Sequence, residues 1–151
     1  MIEDNILNLM VAHHALLYTL FTLFRDELKD KSLKAKSTLS ELRWETQKHF
    51  FVEEKAIFDF VIMENYGVLA TINQLKDEHL AMLNDLRKFL DNSLEATNEE
   101  LDNFHNLMES HRKIEEGELY PKLDKELPPE QKAQIISRIN EIPLLGTGFE
   151  L

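Results

Sequence analysis

The sequence contains no cysteine, which removes disulfides, iron–sulfur clusters, thiolate zinc sites and thiol catalysis together. Glycine and proline are scarce, with 4 of each in 151 residues. Few positions can therefore turn or break the chain sharply. Basic residues are also short. The 17 Lys and Arg stand against 28 Asp and Glu, for a net charge of -11. That sign argues against nucleic acid or an anionic membrane surface as partner. The apolar run from Ala15 to Phe24 closes on Arg25-Asp26-Glu27 and is too short to span a bilayer. Met1-Ile-Glu-Asp-Asn5 is acidic, the wrong sign for a secretory leader. A cytoplasmic protein is the expectation.

What is present is helical. Hydrophobic residues make up 43% and charged residues 30%, a globular balance in a chain that suits one domain. Apolar residues recur at steps of three and four throughout, so the predicted fold is all-α. Helix 1 is predicted from about Glu3 to about Lys29, followed by a Lys-rich loop over 30–36. The capping box Thr38-Leu-Ser-Glu41 is expected to open helix 2. Its stripe is Leu42, Thr46, His49, Glu53, Ala56, Phe60 and Met63, with Gly67 as the stop. Helix 3 is read over roughly Val68 to Leu94, with Ile72, Leu75, His79, Met82, Leu83 and Leu86 in line. A second capping box, Thr97-Asn-Glu-Glu100, opens helix 4 through Leu101, Phe104, Met108, His111, Glu115 and Leu119. Pro121 is expected to kink or end that helix. Gly117 inside it costs about 1 kcal/mol relative to alanine, with close packing the one reason in view. Leu127-Pro-Pro-Glu130 starts a shorter helix to about Ile142, which Pro143 closes, and Gly146-Thr-Gly148 begins a loose tail. Four long helices with short loops predict an up-down-up-down bundle over about 3–125, with the C-terminal helix and tail over about 128–151, all in one domain.

One ten-residue pattern occurs twice. His49-Phe-Phe-Val-Glu53-Glu-Lys-Ala-Ile57-Phe58 and His111-Arg-Lys-Ile-Glu115-Glu-Gly-Glu-Leu119-Tyr120 share H-x-x-x-E-E, two variable residues, an aliphatic and an aromatic. His14 lies 35 residues before His49, and His79 lies 32 residues before His111. A helix places residues i and i+4 on one face, so each copy aims an imidazole and a carboxylate the same way. Each of the four histidines falls mid-helix on an otherwise apolar stripe. Six such groups buried without partners would each cost several kcal/mol, against a typical stability of about 5–15 kcal/mol. Metal coordination resolves the conflict, and nitrogen with oxygen donors suits a pair of first-row ions, iron before zinc, with manganese also open.

The candidate ligands are His14, His49, Glu53, His79, His111 and Glu115. Glu53 and Glu115 lie about 40° around the helix from their histidines, whereas Glu54 and Glu116 lie about 140° away. The first of each pair is read as ligand and the second as a surface or supporting group. His13 competes with His14 on a helix with apolar residues on both faces. His105 lies about 240° around from His111 and is read as a non-ligand. Each ion would take two terminal histidines, with Glu53 and Glu115 bridging the pair. An oxo, hydroxo or water bridge and open positions would complete octahedral coordination.

In these residues the chain resembles the hemerythrin-like, or HHE, family. That family carries H, then H-x-x-x-E, then H, then H-x-x-x-E/D on four antiparallel helices around a non-heme di-iron centre. His14, His49 with Glu53, His79, and His111 with Glu115 match in that order, over residues 5 to about 125. The resemblance implies a bundle that holds a pair of iron ions. Oxygen-carrying members have a fifth histidine one turn after the third-helix histidine, where this chain has Leu83. Their last motif usually ends in aspartate at +5, where this chain has Glu116. Both departures point away from reversible oxygen carriage. The four-His, two-Glu set is similar to iron- and oxygen-sensing domains and to di-iron proteins that respond to nitric oxide.

The expected function is a small-molecule binding or redox protein taking dioxygen, nitric oxide or peroxide at this centre. The alternative is a sensor or interaction module whose fold follows metal occupancy. A third is a plain scaffold that associates through Phe50 or Trp44. Tyr18, one turn after His14, either points into the missing ligand's space or sits in the core with its hydroxyl satisfied elsewhere.

Overall fold

Asn5 opens the first helix: its side-chain oxygen accepts from the Asn8 backbone N–H at 2.7 Å and caps α1 (Ile6–Lys29). The computed structural model describes residues 5–64, 66–92 and 95–145. The expected start at Glu3, end at Leu94 and tail from Gly146 lie outside the described residues. α2 covers 35–63 as Ala35–Val52, a π-helical stretch Glu53–Phe58, and Asp59–Met63. α3 is Leu69–Asp91. α4 covers 98–126 as Asn98–Ile114, a π-helical stretch Glu115–Leu119, and Tyr120–Glu126. α5 is Pro129–Leu145.

The capping box at Thr97 forms as expected, with Thr97 and Glu100 each bonded to the other's backbone N–H. The one expected at Thr38 does not. Helix α2 already begins at Ala35, and the Thr38 N–H is bonded to the Lys34 carbonyl at 3.0 Å. The Thr38 hydroxyl instead donates to Glu27 on α1. Nor does Gly67 stop α2: the helix ends at Met63, and Gly67 turns the following link at φ +72. Pro121 does not end α4, because it falls in the first turn after the π stretch, where a missing N–H costs least. Pro143 does not close α5, which continues to Leu145.

α1 packs on α2, α2 on α3, α3 on α4, and α4 back on α1, so the four long helices close a bundle. α5 lies against α1 and α2. By length and composition α1 could cross a membrane, at a mean hydropathy of 1.5. In the bundle its stripe of Ile6, Met10, Leu17, Leu20, Phe21 and Phe24 is core. Phe50, expected as an exposed contact, is buried as well.

Each π stretch inserts one residue into a turn and moves the buried positions along by one. An unbroken α register from Glu53 puts Phe60 and Met63 inward. Ile57, Phe58 and Val61 are buried instead, and Met63 is 82% exposed. In α4, Leu119 is buried as the α stripe has it, and Tyr120 and Leu123 are buried with it. The core consequently has two parts. One gathers Ile6, Met10, Ile57, Phe58, Ile72 and Tyr120 around α5. The other gathers Leu17, Phe21, Leu42, Met82, Phe89 and Phe104. On α1, α3 and α4 the candidate histidine lies between a residue of one part and a residue of the other.

No close packing explains Gly117, since a Cβ built there meets no atom within 4 Å. We expect Gly117→Ala to raise stability by about 0.5–1 kcal/mol. Urea denaturation measures this, and a destabilised variant would show that the π stretch requires glycine.

Candidate metal centre

The helical i, i+4 spacing brings His49 and Glu53 together on α2, and His111 and Glu115 on α4. The neighbouring helices α1 and α3 add His14 and His79. All six side chains are buried. All four imidazoles present Nε2 inward. His14 Nε2 stands 3.1 Å from Glu115 Oε1, and His49 Nε2 stands 3.6 Å from Glu53 Oε2. His79 Nε2 is 2.7 Å from Glu53 Oε1, and His111 Nε2 is 3.2 Å from Glu115 Oε2. Two donor atoms about 2.0–2.2 Å from one ion, at a right to tetrahedral angle, stand about 3.0–3.5 Å apart. Three of these four separations are close to that spacing. His79 with Glu53 is at hydrogen-bond distance.

The donors divide into two sets. His14, His49, Glu53 and Glu115 converge within 4.8 Å of one another, as do Glu53, His79, His111 and Glu115. The carboxylates are common to both. Between His13 and His14, it is His14 whose Nε2 faces the centre. Between each glutamate pair, it is Glu53 and Glu115 that lie within.

The outer nitrogens are also engaged. His14 Nδ1 lies 2.6 Å from Glu116 Oε2, His79 Nδ1 2.7 Å from Glu54 Oε2, and His111 Nδ1 2.8 Å from Glu78 Oε1. His49 Nδ1 meets the imidazole Nδ1 of His13 at 3.3 Å. Such partners fix the tautomer that leaves Nε2 free for an ion. An internal two-fold relation runs through these contacts. The second glutamate of each motif reaches the lone histidine of a neighbouring helix, and the residue just before each lone histidine supports a motif histidine. The aromatic ending each motif obeys it too. Phe58 stacks on His79 with ring centroids 5.7 Å apart, and Tyr120 stacks on His14 at 6.5 Å. The Tyr120 hydroxyl also donates to Glu53.

Sequence reasoning reached the six inner groups and left Glu54 and Glu116 between surface and support. It missed the roles of His13, Glu78 and Tyr120. The signal for the first two is adjacency to a lone histidine. For Tyr120 it is the matching place of the aromatic in the two copies of the motif. His105 stacks on Phe21 outside the centre. Tyr18 donates its hydroxyl to Glu109, so that hydroxyl is satisfied away from the centre. Its ring borders a cavity of about 30 Å³ alongside Leu17, Phe50, Met82, Phe104 and Met108, with His14, His49 and His111 at the edge.

The electrostatics ask for positive charge. Burial pushes the His49 pKa well below 6.5, with Glu53 opposing and His14 adding to it. Burial also opposes charge on His14, but Glu115, Glu53 and Glu116 outweigh it and raise that pKa. At His79 burial is outweighed by hydrogen bonds to Glu53 and Glu54. At His111 burial yields to the charge of Glu115, with Glu53 adding to it, and the pKa is pushed up to about 11. Burial would raise Glu115, yet the His111 charge and contacts with Glu53 and His14 hold it far below the carboxylate range. Without metal, protons on His14, His79 and His111 neutralise the buried carboxylates.

These features define a helical-bundle protein with a buried nitrogen–oxygen donor set that could hold metal cations. The hemerythrin HHE cation-binding domain model matches residues 5–123. The chain belongs to that family, whose members bind metal cations, usually iron. No curated protein and no solved structure matches it.

Because raised imidazole pKa values mean protons held in the metal-free centre, cation binding must expel them. We expect divalent metal added at pH 7 to acidify a weakly buffered solution, and apparent affinity to rise between pH 6 and pH 8. An indicator dye reads the release. Binding without proton release would show that the imidazoles are not the ligands.

Proposed function

We propose that this protein is a non-heme di-iron protein that binds iron together with a small ligand, dioxygen, nitric oxide or peroxide. The chain would run up-down-up-down, as the short connections favour. His14 and His49 would hold one iron and His79 and His111 the other, with Glu53 and Glu115 shared. The observation that carries this reading is a set of buried atoms facing one another without hydrogen-bond partners: Nε2 of His14, His49 and His111, and both oxygens of Glu115. Leaving such atoms unpaired is costly, and a cation at each focus satisfies them.

Bound iron would supply exchange between the ferrous and ferric states. The chain's own contribution is orientation and dryness. Glu54, Glu78, Glu116 and His13 hold the imidazole tautomers, and Tyr120 holds Glu53. The small cavity beside His14, His49 and His111 has room for about one water-sized molecule. Its walls are mainly apolar, with Thr46 and Arg112 also in the lining, and favour an uncharged diatomic over a metal cation.

A sensor remains the second reading, supported by the position of the centre between the two parts of the core. Aerobic purification with metal analysis and visible spectroscopy tests the first reading; about two irons per chain is the expected content. A fully folded protein that takes up no iron would overturn it. Metal present at about 100 times its Kd should stabilise the fold by about 2.7 kcal/mol, on the order of 5–10 °C in Tm. His49→Ala with Glu53→Ala should abolish that increment. Catalytic loss of peroxide or nitric oxide separates an enzyme from a sensor, which would show the thermal shift with little turnover.

A further inference from the structure

The two-fold relation among the outer partners fails at one place. Three of the four imidazoles present their outer nitrogen to a carboxylate, while His49 presents its own to His13. For His49 to offer Nε2 inward, its Nδ1 must carry the proton. His13 Nδ1 must then accept it, which requires a neutral ring. A second difference lies on the same side. Glu116, behind His14, also accepts from Arg112 at 3.0 Å, so its charge is shared with a guanidinium. Behind His79 and His111 stand the carboxylates of Glu54 and Glu78, and the second oxygen of Glu78 accepts from the neutral amide of Gln74 at 3.1 Å. A carboxylate behind a ligating imidazole raises its basicity more than a neutral acceptor does. His13 also borders a solvent-open groove of about 240 Å³ between α1 and α2, shared with Glu45, Lys48 and His49.

Resting on the two-ion reading above, we propose that the two halves of the centre are unequal: the half formed by His14 and His49 binds the weaker, exchangeable ion, with His13 as the positioning residue that sets its affinity, and the α1–α2 groove is the route by which that ion comes and goes.

The test is titration of metal-free protein with Co(II) against a chromophoric chelator, following the visible spectrum of bound cobalt. Wild type should fill in two steps, the second weaker by about tenfold or more, the scale on which outer partners act. His13→Glu should tighten the second step by about tenfold and leave the first in place. His13→Gln, which keeps a neutral acceptor, should titrate like wild type. Should His13→Glu not fold, Glu78→His serves as its mirror and should weaken the first step by a similar factor. Two equal steps in wild type, or a His13→Glu profile matching that of His13→Gln, overturns the inequality while the two-ion reading stands. Uptake of fewer than two ions sinks both.

Discussion

Everything in this bundle depends on placing two carboxylates and four imidazoles at one depth of an apolar interior. Water is excluded there, and each group would be costly alone. Glu53 and Glu115 are completely buried. Their charge must be met by protons on His14, His79 and His111 or by metal cations. Packing around them is arranged to make that exchange possible rather than to avoid it. Phe50 lies flat on His79 with ring centroids 3.8 Å apart, and Phe58 covers its other neighbourhood. The site is held rigid by grease on its flanks and by hydrogen bonds behind it.

The inner six groups were legible in the sequence because helical spacing is a strong code. A histidine and a glutamate four residues apart must share a face, and two copies with two outlying histidines leave few other arrangements. The hydrophobic stripes were legible for the same reason as far as the motifs. Beyond them the α register failed. It put Phe60 and Met63 in the core, whereas the structure buries Phe58 and Val61. Nothing local in Glu53–Phe58 or Glu115–Leu119 marks a π turn, since the hydrogen-bond pattern is decided by what the surrounding helices demand. Thr38 failed differently: a capping signature is short enough to arise inside a helix, and its hydroxyl found Glu27 on α1 instead.

The supporting groups show how far pattern alone reaches. Glu54 and Glu116 sit beside the inner glutamates, so either a surface or a supporting role agreed with their spacing. Only the positions of α1 and α3 decide that they reach His14 and His79. The adjacent glutamates of each motif flank one imidazole from its two nitrogens, Glu53 and Glu54 at His79 and Glu115 and Glu116 at His14. The duplicated motif therefore encodes a duplicated scaffold, with each half completing the other across the bundle. His13 opposite Glu78 is a departure that a search for ligands alone passes over.

The division of the core into two oily compartments has a mechanical meaning. A layer of histidines and glutamates separates them on α1, α3 and α4. One end of such a bundle is able to loosen while the other holds, since local opening follows the density of apolar contact. On the proposed reading, cations in that layer would rivet the compartments together, and their occupancy would govern whether the molecule melts as a single cooperative body or as two.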